Sequence, residues 1–237
     1  MNVVNAGTRF LFMVGLLLLL VTSNTRLALS SLQLYEFNFH KYNISLRTGI
    51  SQRELMEVAE GLIAYFNSKD SAFDVRVNRN NREESIFSQK EIIHLKDVKE
   101  FFQFTYRIQE ASALYIAAFL AQGFIRKRKA FLRELACSTL IGSATVVSLL
   151  ALLAAATLIG FDQLFLQLHL SVFSNYFWLL DPSRDYLIMM FPQGFFQDAI
   201  LFGAIATLGE ALLIAVGAIF LLDAGRSKIG TGNAQAK

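Results

Sequence analysis

Between Glu134 and Asp162 the chain carries no charged side chain. As a helix that run, residues 135 to 161, is long enough to cross the roughly 30 Å hydrocarbon core of a bilayer. It therefore sets the class of everything around it. Comparable apolar runs cover residues 10 to 25, between Arg9 and Arg26, residues 111 to 125, and residues 199 to 222, the last broken only by Glu210. Hydrophobic residues make up 54% of the 237, which excludes an ordinary soluble domain. The pattern predicts a membrane α-helical protein with four transmembrane helices. The first run is the shortest, and a signal peptide has a similar apolar stretch. We read it as a retained helix because Arg26 can extend its stem to the interface and lengthen the span.

Short-loop charges set the orientation. Arg126, Lys127, Arg128, Lys129 and Arg133 crowd the connection between the second and third runs, and Arg226, Lys228 and Lys237 lie in the tail. By the positive-inside rule these face the cytoplasm, which puts both termini inside a cytoplasmic (inner) membrane. A basic run between two spans is a topology signal, so no nucleic-acid partner is expected. Residues 1–31 are then an N-terminal tail with the first transmembrane helix, and residues 32–100 a small extracytoplasmic domain. Residues 101–237 hold helices two to four, with an outer loop over 162–198 and a cytoplasmic tail. Cys137 is the single cysteine, so no internal disulfide can form.

The outer domain is expected to be α+β. Leu32 to Phe39 alternates like a strand, Phe73 to Val77 reads as another, and Arg76 to Glu84 as a charged turn. Ser51 and Glu54 form a capping box ahead of Leu55, Val58, Ala59, Leu62, Ile63 and Phe66 at helical spacing. Ten Lys/Arg against eleven Asp/Glu over 32–100 leave the domain nearly neutral. A second capping box, Ser88 with Glu91, starts a helix that no Gly or Pro interrupts through residue 122. This ties His94 rigidly to the second span. The third span should continue past His169, because Leu164, Phe165, Leu168 and Val172 keep one apolar face. Beyond Trp178, Asp181 and Pro182 predict an N-cap and first helical position for a short helix through Asp185 to Met189, ending at Phe191-Pro192.

His40, His94 and His169 all lie outside the spans. Three readings are open for them. Glu91 and Asp97 lie one turn either side of His94 and would suit zinc, yet the close ligand spacing of a recognisable metal motif is absent. Each histidine could instead be a hydrogen-bonded interface residue. The preferred reading pairs His94 and His169 as general acid and base, with Asp97 orienting His94 from i+3 and Trp178, Asp181 and Asp185 as supporting candidates. No metal and no cofactor is expected. Glu210 invites a functional reading in mid-span, but hydrogen bonding to Gln122, Ser143, Thr145 or Ser148 as interhelical glue is preferred.

Together Glu91-Ile-Ile-His94-Leu-Lys-Asp97-Val98, Leu168-His169, Trp178-Leu-Leu-Asp181-Pro182, Asp185-Tyr-Leu-Ile and Phe191-Pro192 resemble a family of four-helix bacterial integral membrane proteins that includes lipoprotein intramolecular transacylase. The likeness extends to Gly49-Ile-Ser-Gln-Arg-Glu54-Leu. Leu168 and Leu170 stand where that family's pattern has aromatic residues. The resemblance implies a membrane acyltransferase that moves an acyl chain from the glyceryl ester of a diacylglyceryl lipoprotein to the cysteine α-amine. The family's two catalytic histidines match His94 and His169, and the substrate is a membrane-embedded lipid or lipoprotein met on the outer face. The alternative, from the residues alone, is a non-catalytic envelope protein that binds a lipid or protein partner through its outer domain.

Overall fold

The computed structural model describes residues 6–70, 76–79, 82–127 and 129–234. Among these, helices α1 (Ala6–Ser30), α2 (Leu32–Lys41), α3 (Ile44–Thr48) and α4 (Gln52–Asn67) precede a hairpin of β1 (Arg76–Arg79) and β2 (Arg82–Ser85). Helices α5 (Gln89–Lys127), α6 (Lys129–Val172), α7 (Tyr186–Met190) and α8 (Gln193–Ala234) follow. α1, α5, α6 and α8 are long and apolar enough to cross a membrane, as the uncharged runs predict. The shortest, the 25 residues of α1, rises about 37 Å, enough for the hydrocarbon core.

The α+β reading of residues 32–100 is corrected. Leu32 to Phe39 is helical, not a strand, because Leu34, Tyr35, Asn38 and Phe39 form one buried helical face while Phe37 is 57% exposed. Ser31 caps this helix, its hydroxyl accepting from the Leu34 N–H. Strand pairing among the described residues is confined to the β1–β2 hairpin, antiparallel with Arg76 opposite Ser85 and Arg79 opposite Arg82. No sheet organises the segment. Part of the strand expected at Phe73 to Val77, residues 73–75, lies outside the described residues, and of the turn expected at Arg76 to Glu84 the described residues are the paired strands, with β2 running on to Ser85.

The chain divides into two compact units. The first comprises Met1–Asn24, Arg107–Ala155 and Ala204–Lys237. Leu16 and Leu20 of α1 pack there with Val146 of α6 and Ala211 of α8, and Phe12 with Phe119 of α5 and Phe131 of α6. Thr207 and Ala211, members of a four-residue repeat of small side chains in α8, are both buried, which allows close helix approach. Glu210 has a hydrogen-bonding partner the sequence reading did not name. Asn24 Nδ2 reaches Glu210 Oε2 at 2.8 Å and Thr207 Oγ1 at 3.0 Å. Thr145 and Ser148 instead donate to carbonyls of their own helix, Ile141 and Ala144.

Gly123 in this unit is fixed by contact. A Cβ there would lie 2.2 Å from the Phe131 ring, which is fully buried and packed against Phe119 and Phe124. Gly123→Ala is expected to cost about 1–3 kcal/mol by overpacking. Thermal unfolding in detergent checks this: a midpoint equal to that of the parent protein would contradict it.

The second unit comprises Thr25–Tyr106 and Ala156–Gly203. Its core is the amphipathic face of α4, where Leu55, Val58, Ala59, Leu62, Tyr65 and Phe66 are all buried. The predicted capping box is present, with Ser51 accepting from the Glu54 N–H and Glu54 from the Ser51 N–H. Tyr35 and Phe39 of α2, Leu187 and Met190 of α7 and Phe195 of α8 complete this core. At about 1.5–3 kcal/mol for each large side chain buried, it is the main source of this unit's cohesion. Lys41 Nζ contacts both Asp198 oxygens at 2.7 Å, and Tyr42 donates to the same carboxylate at 3.1 Å. Gly194 allows this approach, since a Cβ there would meet the Tyr42 hydroxyl at 2.4 Å.

Candidate active site

The site lies wholly within the second unit and starts from two helix termini. Ser88 and Glu91 form the capping box that begins α5. Glu91 Oε2 accepts from the Ser88 N–H at 2.7 Å, and Ser88 Oγ from the Glu91 N–H at 3.4 Å. His94 follows less than one turn later and is 7% exposed. The uncharged part of α5 is 111–125, so His94 falls in the charged stretch ahead of it. Its Nδ1 is buried and has no hydrogen-bond partner among the described residues. Burial, and then the neighbouring His169, hold this imidazole below its usual pKa range, while Asp97 acts weakly the other way. His94 is therefore neutral near pH 7.

His169 arrives from the other direction. The third span does continue to Val172, but not as one uninterrupted helix. Gly160 has φ −177° and ψ 79°, so the helix breaks and restarts at Phe161. The restarted segment is tied to the first turn of α8, where Gln193 Nε2 donates to Asp162 Oδ1 at 2.7 Å. His169 Nδ1 lies 2.7 Å from the Phe165 carbonyl oxygen. A carbonyl only accepts, so Nδ1 carries the proton and Nε2 of the neutral ring is left with the lone pair.

The two imidazoles come together, with ring centroids 6.1 Å apart and planes inclined at 35°. Aromatic rings surround the pair. Phe165 lies 4.3 Å and Trp178 5.1 Å from the His169 ring, and Phe173 is 5.4 Å from His169 and 5.1 Å from His94. With Leu168 and Leu170 flanking the histidine, the aromatic enclosure comes from Phe165 one turn earlier on α6, from Phe173 just past the helix end and from Trp178 in the following loop.

The supporting candidates divide. Asp97 makes no hydrogen bond to His94 among those described; its Oδ2 accepts from Asn175 Nδ2 at 2.8 Å. Trp178 directs its indole N–H to the Asn175 carbonyl at 2.9 Å. Asp181 and Asp185 organise the turn before α7. Asp181 Oδ1 accepts from the Ser183 N–H and hydroxyl, and Asp185 Oδ2 from the Asp181 N–H at 2.7 Å. Those hydrogen bonds from Ser183 hold the Asp181 carboxyl below its ordinary range. The short helix starts later than predicted, at Tyr186 with Asp185 as its N-cap, because the Asp181-Pro182 stretch closes as a turn instead. Lys90 Nζ donates to the Leu179 carbonyl and links this loop to α5.

Two residues of the site were not singled out for these roles by sequence. Asn175 had no motif to mark it. Glu91 was legible as a capping-box member, but its second bond, Oε1 accepting from the Leu187 N–H at 2.6 Å, joins residues far apart in the chain. His40 is exposed on α2 and joins neither of the other histidines. Among the described residues no three of His, Cys, Asp and Glu converge as a metal site, and Glu91 and Asp97 are both engaged with backbone or amide donors.

Four helices long and apolar enough to span define a multi-pass membrane protein, and in its second unit a buried and a half-buried histidine meet among aromatic rings. The family model for lipoprotein intramolecular transacylase Lit matches residues 10–196, and the chain belongs to that family. An uncharacterized protein of Aquifex aeolicus (strain VF5) is 27% identical over 212 residues, 85% of this chain and 91% of that one. The fold matches the in meso structure of Lit from Bacillus cereus with a TM-score of 0.74 at 22% identity, covering 93% of this chain and 96% of that one. It also matches two Lit structures that carry a histidine-to-arginine or a histidine-to-alanine mutation, each with a TM-score of 0.75.

Proposed function

We propose that this chain transfers an acyl group within a diacylglyceryl lipoprotein, from the glyceryl ester to the α-amine of the lipidated cysteine, with His94 and His169 handling the protons. Membership of the transacylase family supports the reaction class. The observation that carries the residue assignment is the 6.1 Å separation of two imidazoles, close enough for one substrate group to hydrogen-bond to both. The basic loop 126–133 supports an orientation with both termini cytoplasmic and the site on the outer face of the cytoplasmic membrane.

The chemistry needs no enzyme nucleophile, because the substrate brings its own amine. His169, with Nδ1–H bonded to Phe165, takes the amine proton on Nε2 as nitrogen attacks the ester carbonyl carbon. The attacking form is the neutral amine; in ordinary peptides an α-ammonium ionises near 8, so roughly a tenth of it is in that form at neutral pH. Neutral His94 donates to the developing oxyanion, and its unpartnered Nδ1 is the group available for this. As the carbon–oxygen bond to glycerol breaks, His169 returns the proton to the departing glyceryl oxygen. The products are an N-acyl amide and a free glyceryl hydroxyl, with no net gain or loss of atoms.

Because the transfer is intramolecular, intact mass does not change. The test is fragmentation mass spectrometry of lipoproteins from a host lacking N-acylation enzymes and expressing this chain. One acyl chain on the cysteine nitrogen is expected. Both chains remaining on glycerol would overturn the assignment.

A further inference from the structure

The loop that follows α6 carries a residue, Asn175, whose side-chain amide and backbone carbonyl are all engaged. Asn175 Nδ2 donates to Asp97 Oδ2 at 2.8 Å, its Oδ1 accepts from the Phe177 N–H at 3.0 Å, and its carbonyl accepts from the Trp178 indole at 2.9 Å. The indole N–H is the only polar group on that ring, so its direction sets the ring's orientation. The ring lies 5.1 Å from His169 at an inclination of 45°. On its other side His169 is held by the Phe165 carbonyl and ring. Asp97, at the far end of the chain of contacts, sits on α5 three residues after His94. The link Asp97–Asn175–Trp178 therefore runs from the helix of one histidine to the ring face of the other.

We propose that Asn175 is a positioning residue, which clamps the loop to α5 through Asp97 and holds Trp178 against His169 so that the two imidazoles keep their spacing. The proposal rests on the acyl-transfer reading for its effect on rate, but not for the physical link itself. Misplacement of a reacting group by about 1 Å can lower a rate by about 100-fold. Asn175→Ala is accordingly expected to lower kcat roughly 10- to 100-fold with KM little changed.

Trp178 is the sole tryptophan, and this permits a readout independent of activity. An imidazolium in contact with an indole quenches its fluorescence. In the purified full-length protein the emission should follow the titration of His169. That titration should disappear in His169→Ala and persist in His94→Ala, which separates His169 from the other titratable neighbours, His94 and Asp97. Asn175→Ala should lose most of it while keeping the parent unfolding midpoint within a few degrees. The paired exchange Asp97→Asn with Asn175→Asp keeps one amide facing one carboxylate and still offers an acceptor to Phe177. It should recover both the fluorescence titration and kcat relative to either single substitution, and it also decides the matter if Asn175→Ala fails to fold.

An Asn175→Ala protein with undiminished titration and kcat would overturn the proposal, as would a folded exchange variant no better than the single ones. If His169→Ala leaves transfer intact, it is the proton-transfer role of His169 that fails, and if the parent protein leaves both chains on glycerol it is the acyl-transfer reading; in either case the fluorescence arms still decide the positioning link.

Discussion

Alanine at His169 is expected to reduce kcat/KM for acyl transfer by about 100- to 10,000-fold, the range of general acid–base contributions, or roughly 3–5 kcal/mol in the barrier. His94→Ala should fall in the same range, since it removes the donor to the oxyanion. The double variant should be scarcely worse than the more damaged single one, because groups that act as a unit are not additive. The measurement is the rate of O-to-N acyl migration on a synthetic diacylglyceryl lipopeptide in detergent or nanodiscs. Either single variant retaining a third of the parent rate would remove that histidine from the mechanism. On the proposed mechanism both are required, because His169 has one nitrogen committed to Phe165 and a single ring would then have to serve the amine and the oxyanion together.

The second large effect concerns stability. Glu91 is 1% exposed, and its two oxygens accept from the Ser88 and Leu187 N–H groups. The N-cap of α7, Asp185, makes no side-chain cap bond to its own helix. Glu91 thus satisfies a first-turn donor of α7 from another helix, a service an N-cap side chain ordinarily performs. Glu91→Ala leaves one buried N–H and a capping group unpaired, at a cost of about 2–4 kcal/mol. Thermal unfolding in detergent should show the loss, together with increased proteolysis around residues 180–192. Glu91→Gln should be intermediate, since an amide can accept with one end but turns an N–H toward a donor at the other. An unchanged midpoint in Glu91→Ala would contradict the assignment.

Much of the site's location was legible in the chain. Capping boxes at Ser51 and Ser88 are local signals, because side chain and backbone three residues apart decide them, and both appear as expected. The pairing of His94 with His169 was expected from the residues, each carried on the outer extension of a span, although the break at Gly160 intervenes in α6. The failures share a cause. Leu32 to Phe39 was read by alternation, but Tyr35 and Phe39 pack into a core built with α4, α7 and α8, beside the buried Leu34 and Asn38, and that burial selects the helix. Asp181 and Pro182 were read as a helix start, whereas Asp185 draws the Asp181 N–H into a turn. Asp97 was assigned to His94 by spacing on one helix, yet Asn175, from a loop far along the chain, takes its carboxylate.

By itself the sequence pointed to four membrane segments, the 27-residue uncharged run 135–161 most strongly, since a run of that length has no comparably stable place in water. It also determined where α4 and α5 begin, and that the histidines fall outside the apolar runs. Only the tertiary structure decided what those histidines meet. The meeting of His94 with His169 and Phe173, the clamp of Asn175 on Asp97, the reach of Glu91 to Leu187 and the pairing of Asn24 with Glu210 are contacts between parts distant in the chain. Local propensity carries no term for such contacts. They form because a buried polar group must find a partner, and which partner it finds depends on how the helices pack.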